Sequence, residues 1–338
     1  NVAELAIEDK SPEERKLIYI DVLKSLISQN KFTTKNVAVS ISGSSVIVRF
    51  VKFPKMTPAE LKKTLPFEAE PHIPFNIDEV DMDTQIIRDI DEEEQVKMET
   101  VLVASKKEII MEKVDIITMS GLKPTVIDVD AFALGNAYEW INKDEYNSIM
   151  IVNIGASTTN ICIVENGVAK VVRDLYVAGN NLTKAMQTKY GMPLDQADEC
   201  KFHYGLSGGM EGLDPGKFKS DRVELQDSPE LSSQTYEALY PIVKEINSEL
   251  QRSIDYFTSQ QDSTAESIEK IIITGGSASL IGLPEMVNSD LKIPVEVFRP
   301  LKNVERTNYK GKLDPEIFSS PSLAVITGLA LRTKGDNK

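Results

Sequence analysis

The sequence predicts an α/β protein of more than one domain, in which a small α+β module interrupts a larger architecture. Three observations carry this. Apolar runs rich in β-branched residues deliver small residues to a tip at three places: IVNIGASTTNICIVENG at 151–167, the run ending in Gly179-Asn180, and IIITGG at 271–276. Capped helical patterns alternate with strand-like runs along the chain. A length of 338 residues with 41% hydrophobic content is enough for two cores.

Taken in order, Ser11-Pro12-Glu13-Glu14 is a capping box with proline at the first helical position, and Leu17, Ile20, Leu23, Leu26 and Ile27 follow at helical spacing. A helix is predicted over about 12–29. KNVAVSISGSSVIVRFVKF alternates around Ser42-Gly43-Ser44-Ser45 and predicts strand, turn, strand. Its tip has the residues any hairpin turn uses, so no phosphate loop is assigned to it. Thr57-Pro58-Ala59-Glu60 opens a second helix through LKKTL, which Pro66 is expected to kink or end. After EAEPHIPFNIDEV, the runs MDTQIIRDI and VKMETVLVAS read as strands joined by the acidic stretch DIDEEEQ, a solvated hairpin loop. Ser105-Lys106-Lys107-Glu108 reads as a third capping box, opening a helix that buries Ile109, Ile110, Val114 and Ile117 and stops at Gly121. Residues 49–123 are the inserted module on this reading.

The 151–167 hairpin follows, then a strand, Gly179-Asn180-Asn181 and a helix. Residues 206–230, rich in Gly, Ser, Asp and Pro, read as a mobile surface connection. A long helix over about 232–260 carries Leu239, Ile242, Val243, Ile246, Leu250, Ile254 and Phe257 on one face. EKIIITGGSASLIGLPEMV runs strand, Gly275-Gly276, helix, and PSLAVITGLALR closes as an apolar helix containing Gly328.

The balance of 52 acidic against 38 basic residues, a net charge of −14, repels phosphate backbones and anionic lipid, so nucleic-acid binding is not expected. Cys162 and Cys200 make no disulfide framework, and no apolar stretch reaches the roughly 20 residues of a membrane span. With no signal-peptide pattern at its start, a cytoplasmic protein is expected. His72 and His203 are not spaced with the cysteines as zinc ligands and give a histidine-dependent triad little to work with. A hairpin needs positive φ at only one or two turn positions. The run Gly155-Ala156-Ser157-Thr158-Thr159 is longer and uncharged, and backbone N–H groups unshielded by bulky side chains can close on an anion.

In their order, the 151–167 hairpin, Gly179-Asn180 and Gly275-Gly276 resemble the phosphate and adenosine motifs of the actin-like ATPase superfamily, whose two halves close over a nucleotide. FPKMTPAELKKTLPFEAEPHIPFNIDEV resembles the PilM family, cytoplasmic actin-like proteins of type IV pilus assembly. That family is similar to FtsA division proteins in carrying an extra α+β subdomain here. The likeness continues through GLKPTVIDVDAFAL, NIGASTTNICIVENG, PIVKEINSELQRSIDYF, ITGGSASLIGL and LAVITGLALR, nearly the whole chain.

The resemblance implies a two-lobed actin-like, ribonuclease-H-like α/β fold. Residues 1–48 would be an incomplete first part of the amino-terminal lobe, 124–148 its return and the connection, and 149–338 the second lobe with a subdomain near 180–265. It implies ATP with Mg²⁺, contacted by Asn153, Gly155, Ser157, Thr158 and Thr159 at the phosphates, Gly179 and Asn180 beside them, Gly275, Gly276 and Ser277 at adenine or ribose, and Glu245 at ribose hydroxyls with Lys244 nearby. Asp128 either contacts the Mg²⁺ water shell or caps the next helix. The implied partner is the amino-terminal cytoplasmic tail of PilN, with other pilus assembly proteins, and Ile73, Pro74 and Phe75 are either its docking patch or a core plug. Membrane attachment would then be peripheral and borrowed from the partner.

Two departures weaken hydrolysis more than binding. Family members open with a first phosphate hairpin that does not precede Asn1, so affinity is expected to be reduced, and residue 153 is Asn where many actin-like proteins have Asp. The activity expected is at most a weak ATPase. The alternatives are an FtsA-like division protein, whose amphipathic tail LRTKGDNK does not supply, and a small-molecule kinase on the same fold.

Overall fold

The computed structural model describes residues 4–30, 32–92, 95–142, 148–213, 228–260, 267–302, 304 and 315–333. The chain divides into two compact units, Lys10–Val129 with Arg332–Lys338 and Asp130–Leu331 with Asn1–Asp9.

The unit built on residues 10–129 contains α1 (Pro12–Gln29), β1 (Asn36–Ile41), β2 (Val46–Pro54), α2 (Pro58–Ala69), β3 (Val80–Glu92), β4 (Gln95–Lys106), α3 (Lys107–Met119) and β5 (Lys123–Val129). The Ser11 and Thr57 capping boxes both form: each hydroxyl accepts from the backbone N–H three residues on, and Glu14 or Glu60 reaches back to the cap N–H. These hydrogen bonds hold both glutamates below their ordinary pKa. On α1 the expected apolar stripe is only partly covered. Ile20 is buried, while Leu17 and Leu26 are 55% and 49% exposed.

Two local readings are corrected here, the 36–54 hairpin and the Ser105 cap, and of the two effects expected at Pro66 the helix end does not occur. β1 and β2 do not form a hairpin: β1 pairs parallel with β5, and β2 pairs antiparallel with β4 in a separate sheet of order β2-β4-β3. Residues 42–45 do turn, with Val46 N–H donating to Gly43 O at 2.9 Å, but the turn carries the chain between sheets, which alternation alone does not distinguish from a hairpin. The helix of Thr57 runs through Pro66 to Ala69, because Leu61, Leu65 and Ala69 bury one face against Val51, Phe53, Met98 and Leu102. That packing outweighs the lost backbone donor. Ser105 caps nothing, since β4 continues through it to Lys106 and α3 starts at Lys107 without a side-chain cap. The β3–β4 hairpin forms as expected, although residues 93 and 94 of its acidic stretch lie outside the described residues.

The other unit contains α4 (Asp130–Ile141), β6 (Ser148–Ile154), β7 (Thr159–Glu165), β8 (Val168–Leu175), α5 (Gly179–Tyr190), α6 (Leu194–Tyr204), α7 (Pro229–Thr258), β9 (Lys270–Thr274), α8 (Leu283–Leu291), β10 (Val295–Val297), α9 (Pro315–Phe318) and α10 (Ala324–Ala330). Its mixed sheet has the order β10-β9-β6-β7-β8, with β6, β9 and β10 parallel and β7 antiparallel to both its neighbours. Met150, Val152, Ile154, Ile161, Ile163, Ile271 and Ile273 meet Leu239, Val243, Ile246, Leu250, Ile254 and Phe257 of α7 in one buried cluster. The near-continuous apolar runs of β6 and β9 follow from this central position, as both faces of such strands are covered. α4 and α10 cross closely at Gly328, where an added Cβ would lie 1.8 Å from Ala133 O.

The start of the 206–230 stretch is packed. Leu206 is fully buried, and a Cβ on Gly209 would fall 2.2 Å from the Tyr236 ring. The part expected to be mobile that falls at 214–227 lies outside the described residues.

Candidate functional site

Within the unit that holds the mixed sheet, the three small-residue tips meet at one carbonyl. Gly155 N–H closes the β6–β7 turn on Thr158 O at 3.0 Å, and Gly155 O accepts from Gly179 N–H, the first residue of α5, at 3.0 Å. Asn180 N–H donates to Ala156 O at 2.7 Å. Ser277 Oγ, following β9, reaches the same Gly155 O at 3.5 Å. The turn, the N-terminus of α5 and the end of β9 are thereby gathered at one place.

Side chains would not fit at three of these glycines, and a Cβ on Gly155 would lie 2.9 Å from Thr158 O. A Cβ on Gly179 would lie 2.7 Å from Ser277 Oγ and 2.9 Å from Gly155 O. Gly275 has φ +88°, and its Cβ would fall 2.5 Å from Ile154 O and 2.6 Å from Asn153 Oδ1. Gly276 differs: it is exposed, and its Cβ would meet nothing within 4 Å. Backbone at that point faces open space, as it must where a ligand is to approach.

Asn153, Asn160 and Asp174 lie in register across β6, β7 and β8 and are joined by side-chain hydrogen bonds of 2.7 and 2.8 Å. Ser157 is exposed at the turn and Thr158 is half-buried. Thr159 is placed differently from the sequence expectation. It is fully buried, and its hydroxyl donates to Val177 O at 2.7 Å, so it fastens the turn to the segment entering α5. Glu245 lies on the exposed side of α7 outside this network, beside Lys244, which is held by Asp290 at 2.9 Å.

A second cluster, not found in the sequence reading, adjoins the tips. Thr183 Oγ1 donates to Gly179 O at 3.2 Å and accepts from Lys201 Nζ at 2.8 Å, and Lys201 also donates to Asp198 at 2.6 Å. Lys201 is 4% exposed, and burial pulls its pKa below the ordinary lysine value, with Asp198 opposing. Lys201, on α6, is bonded to Thr183 one turn along α5 from the small tips, and a buried cation there is a group with a use near an anion. The signal in the sequence was there: Ala197, Lys201 and Tyr204 share a helical face, and a lysine interrupts an apolar stripe.

Other candidates belong to the unit of residues 10–129. Asp128 is 7% exposed, its Oδ1 accepts from Val129 N–H at 2.8 Å, and its Oδ2 lies 3.4 Å from Arg332 Nη1. Ile73 is 7% exposed and packs into the core beneath α2, as a plug does. Pro74 is exposed, and Phe75 is half-buried with Lys106 Nζ 5.2 Å from its ring centroid. Phe67 on α2 is 76% exposed.

The donor set at the tips suits phosphate and ribose better than a cation. The backbone of residues 156–158 and the Ser157 and Thr158 hydroxyls lie there, while the Gly155, Gly179 and Asn180 N–H groups are already bonded to Thr158 O, Gly155 O and Ala156 O. The carboxylates linked to the tips by hydrogen bonds, Asp174 and Asp198, already face Asn160 and Lys201. Among the described residues no group of three or more His, Cys, Asp or Glu is placed to hold a metal ion.

An α/β architecture with a small antiparallel module and small-residue tips gathered at the end of a mixed sheet is that of an actin-like protein. A solved PilM–PilN type IV pilus biogenesis complex matches it with a TM-score of 0.75 and 25% identity, covering 93% of this chain and 84% of that one. The chain belongs to the type IV pilus assembly protein PilM family, whose model it matches over residues 2–212 and 224–334. It is also similar to the cell division protein FtsA of Neisseria meningitidis serogroup B, 28% identical over 188 residues, and to that of Bacillus subtilis, 23% identical over 234 residues. These alignments cover 53% and 68% of this chain. The chain spans less than half the length of those curated relatives, 43% and 49%.

Proposed function

We propose that this PilM-family protein is a nucleotide-binding scaffold of type IV pilus assembly that reaches the membrane by holding the amino-terminal cytoplasmic tail of PilN. The observation that carries the nucleotide half is the convergence of the β6–β7 turn, the N-terminus of α5 and Ser277 on Gly155 O. On this reading Ser157, Thr158 and the turn backbone receive the terminal phosphates of ATP near a helix N-terminus, which favours negative charge. Gly276 admits the nucleoside, and Lys201 is joined through Thr183 to Gly179 at the N-terminus of α5. Asn153 keeps a hydrogen bond where a carboxylate would add charge. Turnover is accordingly slow, and binding is the function.

The partner half is supported by the presence of PilN in the matched complex. Among the described residues no helix is long and apolar enough to cross a membrane, and a net charge of −14 disfavours anionic lipid. Attachment is therefore assigned to the partner. A tail of this kind docks through a few apolar anchors in a groove, and Phe67, Pro74 and Phe75 are the surface residues of the small module proposed to receive them.

Two measurements test the two halves separately. Gly179→Val is expected to weaken ATP binding by more than about tenfold in a folded protein, since its side chain enters the gathered tips. Unchanged affinity would remove the tips from the site. Phe67→Ala or Phe75→Ala is expected to reduce capture of a PilN-tail peptide while the melting curve stays near that of the parent. Full capture by both folded variants would move the tail elsewhere.

A further inference from the structure

The hydrogen-bonded row Asn153–Asn160–Asp174 has a direction. Asn153 Nδ2 donates to Asn160 Oδ1, and Asn160 Nδ2 donates to Asp174 Oδ1. An ionised aspartate only accepts, so Asn160 must turn its NH₂ toward Asp174 and its carbonyl toward Asn153. Asn153 is then obliged to donate across the sheet. Its own Oδ1 is left on the side of the Gly275 tip, 2.6 Å from where a Cβ on that glycine would sit. Asn160 is 1% exposed, so a mismatched amide there has no water to turn to.

A carboxylate at position 153 would place acceptor against acceptor. Reversing Asn160 to relieve it would set the Asn160 carbonyl against Asp174 instead. The row therefore selects a neutral, donating residue at the end of β6, immediately before the phosphate-facing turn.

We infer that, granting the nucleotide-binding reading above, this site takes a nucleoside triphosphate without requiring a divalent cation. Mg²⁺ in nucleotide sites is ordinarily held through one or two protein carboxylates together with the phosphates. Here Asp174 terminates the amide row, Asp198 is bonded to Lys201, and Asp128 in the other unit caps Val129 N–H beside Arg332. What the tips themselves present to phosphate is neutral: the turn backbone and the Ser157 and Thr158 side chains.

Calorimetric titration of the protein with ATP, once in excess Mg²⁺ and once in EDTA, tests this. Dissociation constants agreeing within about threefold support the inference, and a dependence on Mg²⁺ beyond about tenfold overturns it. No binding in either buffer overturns the nucleotide reading itself, and the inference with it. The direction of the row is tested without nucleotide by a double-mutant cycle in urea. Asn153→Asp is expected to lower the unfolding midpoint, and Asp174→Asn in the same chain to recover much of that loss, because Asn160 can then reverse. Recovery of a folded double variant supports the row; additive losses, or failure of both variants to fold, overturn it.

Discussion

Gly155 O accepts from Gly179 N–H and Ser277 Oγ at once, and no side-chain substitution there or at Gly179 leaves that arrangement intact. Lys201 is the residue with a pH signature. Burial lowers its folded pKa below the ordinary value of about 10.4, so the folded protein binds fewer protons than the unfolded chain in that window. Stability is therefore gained as pH rises from the lowered value toward about 10.4. Lys201→Met is expected to flatten that rise in urea titrations between pH 7 and about pH 10, and to weaken ATP binding more than stability; a variant with the parent's slope would show that Lys201 is not the group titrating. The glycines of the site were legible because small residues after apolar strands leave a visible pattern. Lys201 was missed because its partners Thr183 and Asp198 come from two helices, and Thr159 was misplaced because its hydroxyl bond to Val177 O is made only once β8 has turned into α5.

At the scale of elements, what was legible was local. The boxes at Ser11 and Thr57 form because every atom they use lies within three residues. Thr57→Ala is expected to cost about 1 kcal/mol in urea unfolding, and a change below a few tenths would mean the cap is replaced by water. Because the Glu14 and Glu60 pKa values are lowered, both boxes contribute above the ordinary glutamate value of about 4.3 and lose that contribution as pH falls through the lowered values. The β1–β2 pairing was not legible, since the partner of each strand lies far along the chain: β5 for β1 and β4 for β2. Gly328 is the element-scale constraint of α4 and α10. Gly328→Val should destabilise by at least about 1–3 kcal/mol through overpacking on Ala133, and a neutral result would require α10 to sit farther out.

For the whole molecule, the family is carried by the match along residues 2–212 and 224–334, and the fold by the 0.75 TM-score to a chain of a PilM–PilN complex. Three segments distant in sequence are proposed to make one nucleotide site. Hydrogen exchange followed by mass spectrometry, with and without ATP, reads all three together. Exchange is expected to slow in residues 153–160, 179–183 and 275–280 at the same ATP concentration, with Gly179→Val abolishing the effect in all of them. Protection confined to one segment, or protection elsewhere with these unchanged, would contradict it.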